Sequence, residues 1–123
     1  MKKLARITHA GLDIKDRGIL TFSICVTYED GFSQGIGQYA LDTWDKTLKR
    51  RVGTAYGCEM IRQLLTIFDV NNLHEAIGKD IWVLGDEPSV LAFSPTGIKQ
   101  LRADGGKTLL FKDIADQFTP IKD

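Results

Sequence analysis

Between Ile19 and Tyr28 the chain alternates strictly, with Leu20, Phe22, Ile24, Val26 and Tyr28 on one parity and Thr21, Ser23, Cys25 and Thr27 on the other. A period of two predicts a half-buried strand. Residues Ala5 to Ile14 alternate less cleanly, and the intervening Lys15-Asp16-Arg17-Gly18 has the Asp and Gly of a tight hairpin turn. A second turn, Glu29-Asp30-Gly31, leads into a third predicted strand from Phe32 to Leu41, completing an antiparallel meander. That strand contains Gly35 and Gly37, which imply a sharp bend or a close backbone approach. Gly35-Ile36-Gly37 lacks the third glycine and the βαβ context of a dinucleotide fingerprint.

Residues 42–53 read as a polar connection whose charge swings from acidic to basic. Thr54 then suits a helix N-cap, and Ile61, Leu64, Leu65 and Phe68 recur at the spacing of one apolar stripe. A short second helix is predicted at Leu73 to Ile77, where Asn72 and Glu75 form a capping-box pattern and Gly78 supplies the stop. Strands are expected at Lys79 to Leu84 and Ser89 to Ser94, joined by a turn at Gly85-Asp86-Glu87-Pro88. A further strand at Lys107 to Lys112 and a terminal helix at Asp113 to Phe118 close the chain. The expected architecture is one α+β domain over residues 1–123: an antiparallel sheet of about six strands, one main helix and one or two short helices.

Composition narrows the partners. Sixteen Lys+Arg balance sixteen Asp+Glu, so the chain lacks the cationic excess of a protein that coats nucleic acid, and DNA and RNA are not expected as partners. No segment has the roughly 20 apolar residues of a membrane span. The start, Met1-Lys2-Lys3-Leu4-Ala5-Arg6, shows no export signal, which predicts a cytoplasmic location. Cys25 and Cys58 lie in apolar stretches without metal or redox spacing and are expected as buried thiols.

Catalytic equipment is sparse. His9 and His74 have no partner at metal-ligand spacing, and the acid pairs Asp13/Asp16, Glu29/Asp30, Asp42/Asp45 and Asp86/Glu87 all fall in predicted turns or connectors. No metal site and no cofactor are expected. Anion binding is better supplied, because Lys46, Lys49, Arg50 and Arg51 run into the predicted helix start at Thr54, where free N–H groups and the helix dipole favour negative charge. The alternative is a solvated basic loop balanced by Asp42 and Asp45. Aromatic rings able to stack on a nucleobase are Tyr56 in the first helical turn, Trp82 and Phe93 in the late strands, and Tyr39 and Trp44 beside the glycine-bearing strand; core packing is the alternative for each.

The order of these pieces resembles the phage-encoded Thoeris anti-defence proteins of the first type. The residues that carry the likeness are His9 to Tyr28, the run Gly35-Ile36-Gly37-Gln38-Tyr39-Ala40-Leu41-Asp42, the helix opening Arg50-Arg51-Val52-Gly53-Thr54-Ala55-Tyr56-Gly57, and Gly78-Lys79-Asp80-Ile81-Trp82-Val83 with the hairpin after it. The resemblance implies a protein without enzymatic activity that sequesters cyclic ADP-ribose-type signals made by TIR-domain proteins, with cyclic oligonucleotides at separate sites in some members. It implies sites formed between subunits of a homodimer or larger homo-oligomer, a hexamer included, in the cytoplasm of an infected bacterium. Arg50 or Arg51 and Trp82 match the family's ligand-contacting arginine and ring, and Ser94 stands where a polar base-contacting residue is expected. Thr54, Tyr56, Phe93 and Lys107 complete the candidate ligand-binding set. A small nucleotide-processing hydrolase or lyase using His9 or His74, and a structural interaction module, are the competing readings.

Overall fold

The computed structural model describes residues 1–37, 39–89, 92–102 and 105–118. Strands β1 (Lys2–Lys15) and β2 (Ile19–Tyr28) are paired antiparallel and joined by a 3-10 turn over Asp16–Gly18. Phe22, Ile24, Val26 and Tyr28 of the apolar parity of β2 are buried on the core side, while Thr21 and Ser23 of the other parity are buried as well, so the strand is covered more fully than a half-buried pattern predicts. Strand β3 (Ser33–Ile36) is shorter than the expected run to Leu41. Gly37 ends it with φ 77°, pressed against the Phe22 ring where any Cβ would collide. Gln38 lies outside the described residues, and Ala40 returns to make a single bridge with Thr21.

The stretch 42–53 is not an irregular connection but a small hairpin of β4 (Asp42–Asp45) and β5 (Arg50–Gly53). Its turn is made by side-chain chemistry: Asp45 Oδ1 accepts the N–H groups of Thr47 and Leu48, each at 2.8 Å, and Lys49 adopts φ 55°. Helix α1 (Ala55–Phe68) starts at Thr54 as expected, but its buried stripe is Gly57, Met60, Leu64, Ile67 and Phe68, with Ile61 and Leu65 half-buried beside it. Asp69 in the left-handed region stops the helix, and Lys79 Nζ caps the Phe68 carbonyl at 3.0 Å. The Asn72–Glu75 capping box holds a 3-10 turn over Leu73–Ala76.

The late strands are longer than expected. β6 (Asp80–Ser89) pairs with β7 (Ala92–Gln100), and Gly85-Asp86-Glu87-Pro88 lies inside β6 rather than forming the turn. Bulges at Leu84/Gly85 and Asp86/Ser89 let these turn-type residues stay in the ladder. Val90 and Leu91, part of the expected strand Ser89 to Ser94, lie outside the described residues. β8 (Thr108–Leu110) leads directly into α2 (Phe111–Phe118).

The main sheet has six antiparallel strands in the order β3-β2-β1-β6-β7-β8, and β4-β5 form a separate ribbon. One face carries Ile7, Ala10, Ile24, Ile36, Val83, Ile98 and Leu109 into a core shared with Met60, Leu64 and Phe68 of α1 and Phe111 and Ile114 of α2. Each large side chain so buried contributes about 1.5–3 kcal/mol. The sheet curls around that core. Gln34 on β3 donates from Nε2 to the Phe93 carbonyl on β7 at 2.9 Å, although three strands separate β3 from β7 in the sheet. The helices therefore fill a concave side, opposite a convex face. Of the two cysteines, Cys25 is half-buried and Cys58 is exposed on α1, so the expectation of two buried thiols is corrected.

Candidate functional site

The basic run reaches the helix start through the β4-β5 hairpin, and the structure separates its two arginines. Arg51 donates from Nη2 to Asp42 Oδ1 at 2.8 Å and to the Asp42 carbonyl at 3.1 Å. The same carboxylate accepts the Leu20 N–H at Oδ2, 3.1 Å away. Asp42 thus ties the hairpin to the start of β2, and the Arg51 guanidinium holds its carboxyl below the usual range against the opposing effect of burial. Cations at a helix N-terminus cost about 0.3–1 kcal/mol each unless compensated. For Arg51 the compensating anion is Asp42. Arg50 is different: it is exposed, and its one hydrogen bond among the described residues is from Nη1 to the Arg51 carbonyl at 3.2 Å. Thr54 is committed to the fold, because its hydroxyl accepts the Gly57 N–H at 2.9 Å and donates to the Leu41 carbonyl at 2.8 Å.

Tyr56 leads to a concavity that no local spacing announces. Its half-buried ring lines an apolar slot of about 190 Å³ with Tyr39, Pro95, Thr96, Phe111, Lys112 and Ala115. Tyr39 packs edge-on against Phe111 at 5.5 Å and leans on Phe22 at 6.2 Å, so the floor is built from core rings. Thr54, bonded to Leu41, joins the two segments that carry Tyr39 and Tyr56. Burial, with a smaller contribution from Tyr39, pushes the Tyr56 phenol above its ordinary value and keeps it a neutral donor. Lys112 places a cation at the rim. The slot is below the roughly 300 Å³ that encloses a drug-sized ligand, so it takes one ring system rather than a whole dinucleotide. Neither Arg50 nor Arg51 lines it.

The remaining candidates stand elsewhere. Trp82 lies between Ile81 and Val83, both buried on the concave side, so its indole points to the convex face, away from α1. Lys2 Nζ sits 4.3 Å from its ring centroid. Such a cation–π contact is worth about 0.5–1 kcal/mol at an exposed site, less than the roughly 1–3 kcal/mol of a stacked base. Phe93 is a packing residue, edge-on to Tyr28 at 5.9 Å and covered by Lys3 at 4.8 Å, while Ser94 beside it is exposed opposite Asp86. Lys107 borders a polar hollow of about 560 Å³ near the end of α1, which it shares with Arg102, Asp69 and Glu75. Hence Arg50 and Arg51 stand on the hairpin that leads through Thr54 to Tyr56, and Trp82, Phe93, Ser94 and Lys107 do not join them within one chain. His9 and His74 are both exposed, and among the described residues no cluster of metal-ligating side chains occurs. No described helix is long and apolar enough to cross a membrane.

No family model, curated protein or solved structure matches the chain.

Proposed function

We propose that this chain is an anti-defence sponge of the phage type it resembles, holding cyclic ADP-ribose-type immune signals intact within a homodimer or larger homo-oligomer in the infected cell. The observation that supports this reading best is the Tyr39–Tyr56 slot at the end of the molecule where the cationic hairpin enters α1. A purine can lie over the ring floor of Tyr39 and Phe111 beside Tyr56, and Lys112, with the exposed Arg50 on the hairpin that leads into α1, supplies positive charge for a pyrophosphate. Arg51 acts as a positioning residue that fixes the hairpin through Asp42. The neutral Tyr56 phenol offers a hydrogen bond and no nucleophile. A sponge works by mass action, so it needs abundance and tight retention rather than turnover.

The test is to load purified protein with cyclic ADP-ribose, remove free ligand, release the cargo by heating and identify it by chromatography. Recovery of unchanged cyclic nucleotide is expected. Linear ADP-ribose in the eluate would establish the hydrolase reading, and an empty eluate would remove the nucleotide reading altogether.

A further inference from the structure

The polar hollow of about 560 Å³ beside the end of α1 is larger than the aromatic slot and shares no lining residue with it. Its acidic wall is the stretch in which α1 ends and the 3-10 turn begins, carrying Asp69 and Glu75 with the half-buried Leu65 and Val70. Its basic wall is the end of β7 and the segment after it, carrying Arg102 and Lys107. The buried Gln100 ties the two walls together: Nε2 donates to the Thr66 carbonyl of α1 at 3.4 Å, and Oε1 accepts the Lys107 N–H at 2.9 Å. Gly106, at φ 80°, lies so close to Gln100 that a Cβ there would come within 3.0 Å of the Gln100 Cβ. The hollow is therefore held open by the fold. Four charged side chains line it, two of each sign, and none of them forms an ion pair among the described residues. Lys79 gives its ammonium to the Phe68 and Asp69 carbonyls and leaves the Asp69 carboxylate without a cation. Glu75 Oε1 accepts only the neutral N–H groups of Asn72.

We propose that this hollow binds a small zwitterion with an apolar side chain, an amino acid or a short peptide, its ammonium held by Asp69 and Glu75 and its carboxylate by Arg102 and Lys107. Charges of opposite sign line one space without closing on each other, so the gap suits a guest that carries both signs. A simple cation satisfies the acidic wall and meets like charge on the other; a simple anion does the reverse. A dipolar guest satisfies both. The Arg102 guanidinium offers a carboxylate two parallel N–H donors. Leu65 and Val70 give the side chain an apolar surface. The volume falls within the range of small-molecule sites. This is a second site, independent of the sponge reading.

Isothermal titration of L-leucine and of glycyl-L-leucine into the full chain tests the proposal. 3-Methylbutylamine and 4-methylpentanoate serve as analogues that keep the leucine side chain and each lose one charge. Saturable binding of at least one zwitterion is expected, and the amino acid and dipeptide arms show which length spans the walls. Each single-charge analogue is expected to bind about tenfold more weakly or worse. Asp69→Asn suits the same left-handed backbone at φ 56°, and Lys107→Gln keeps the backbone bond to Gln100. Both variants should weaken binding by about tenfold at unchanged Tm, whereas Thr96→Phe, which lies at the slot, should bind as the parent does. No binding of either zwitterion, an analogue that binds as tightly as leucine, or unchanged affinity in Asp69→Asn or Lys107→Gln would overturn the proposal.

Discussion

Asp42 and Arg51 decide more than their neighbours do. The carboxylate serves a guanidinium, a backbone N–H of β2 and its own strand at once, so Asp42→Asn is expected to lower stability by about 1–3 kcal/mol, read as a drop in Tm. Because its pKa is depressed in the folded chain, its contribution is present above the ordinary carboxylate value of about 3.9 and is lost as pH falls through the lower folded value. The Tm difference between the parent and Asp42→Asn should accordingly shrink as pH falls below about 4; a gap constant down to lower pH would show that charge is not the cause. The two arginines should also part. Arg51→Glu, which sets a second carboxylate against Asp42, is expected to lower Tm, whereas Arg50→Glu should leave Tm near the parent value and weaken capture of cyclic ADP-ribose. The pair is adjacent in sequence and chemically identical, so only the strand register of the hairpin, Arg51 across from Trp44 and Arg50 across from Asp45, assigns the two roles.

At the level of elements, what was legible depended on whether local chemistry alone forms the element. The alternation of β2, the Thr54 cap and the Asn72–Glu75 box are local, and each is present where the residues predict it. The hairpin at 42–53 was hidden because its strands are short and charged and its turn rests on Asp45. The Gly85–Pro88 turn was misread because bulges carry turn-type residues within β6, and Ile81-Trp82-Val83, apolar throughout, gives no parity from which to orient the indole. Gly57 shows the tightest coupling between elements, since a Cβ there would strike the Leu41 carbonyl that receives the Thr54 hydroxyl. Gly57→Ala is expected to cost about 1–3 kcal/mol by overpacking, despite alanine's better helix propensity. Urea titration checks this; a variant at least as stable as the parent would mean the α1 start is not held against that loop.

On the scale of the whole molecule, the sheet curls around the helices. The concave side holds the helices and, at one end, an aromatic slot assembled from the 39–41 segment, α1, β7 and α2. Tyr39 and Tyr56 of its lining were candidate stacking rings from sequence, and only Tyr56 of the two stood in the candidate ligand-binding set. Tyr39, Pro95, Thr96, Phe111, Lys112 and Ala115 come from segments far apart in the chain, and no spacing links them before the fold does. Thr96 is exposed at the slot and has no part in the buried core, so Thr96→Phe fills the cavity while leaving the fold intact. Isothermal titration of cyclic ADP-ribose into the parent and Thr96→Phe proteins is the most direct measurement. Saturable binding to the parent and its loss in the filled variant, at unchanged Tm, are predicted; equal binding by both proteins, or none by the parent, would contradict the slot as the seat of the ligand.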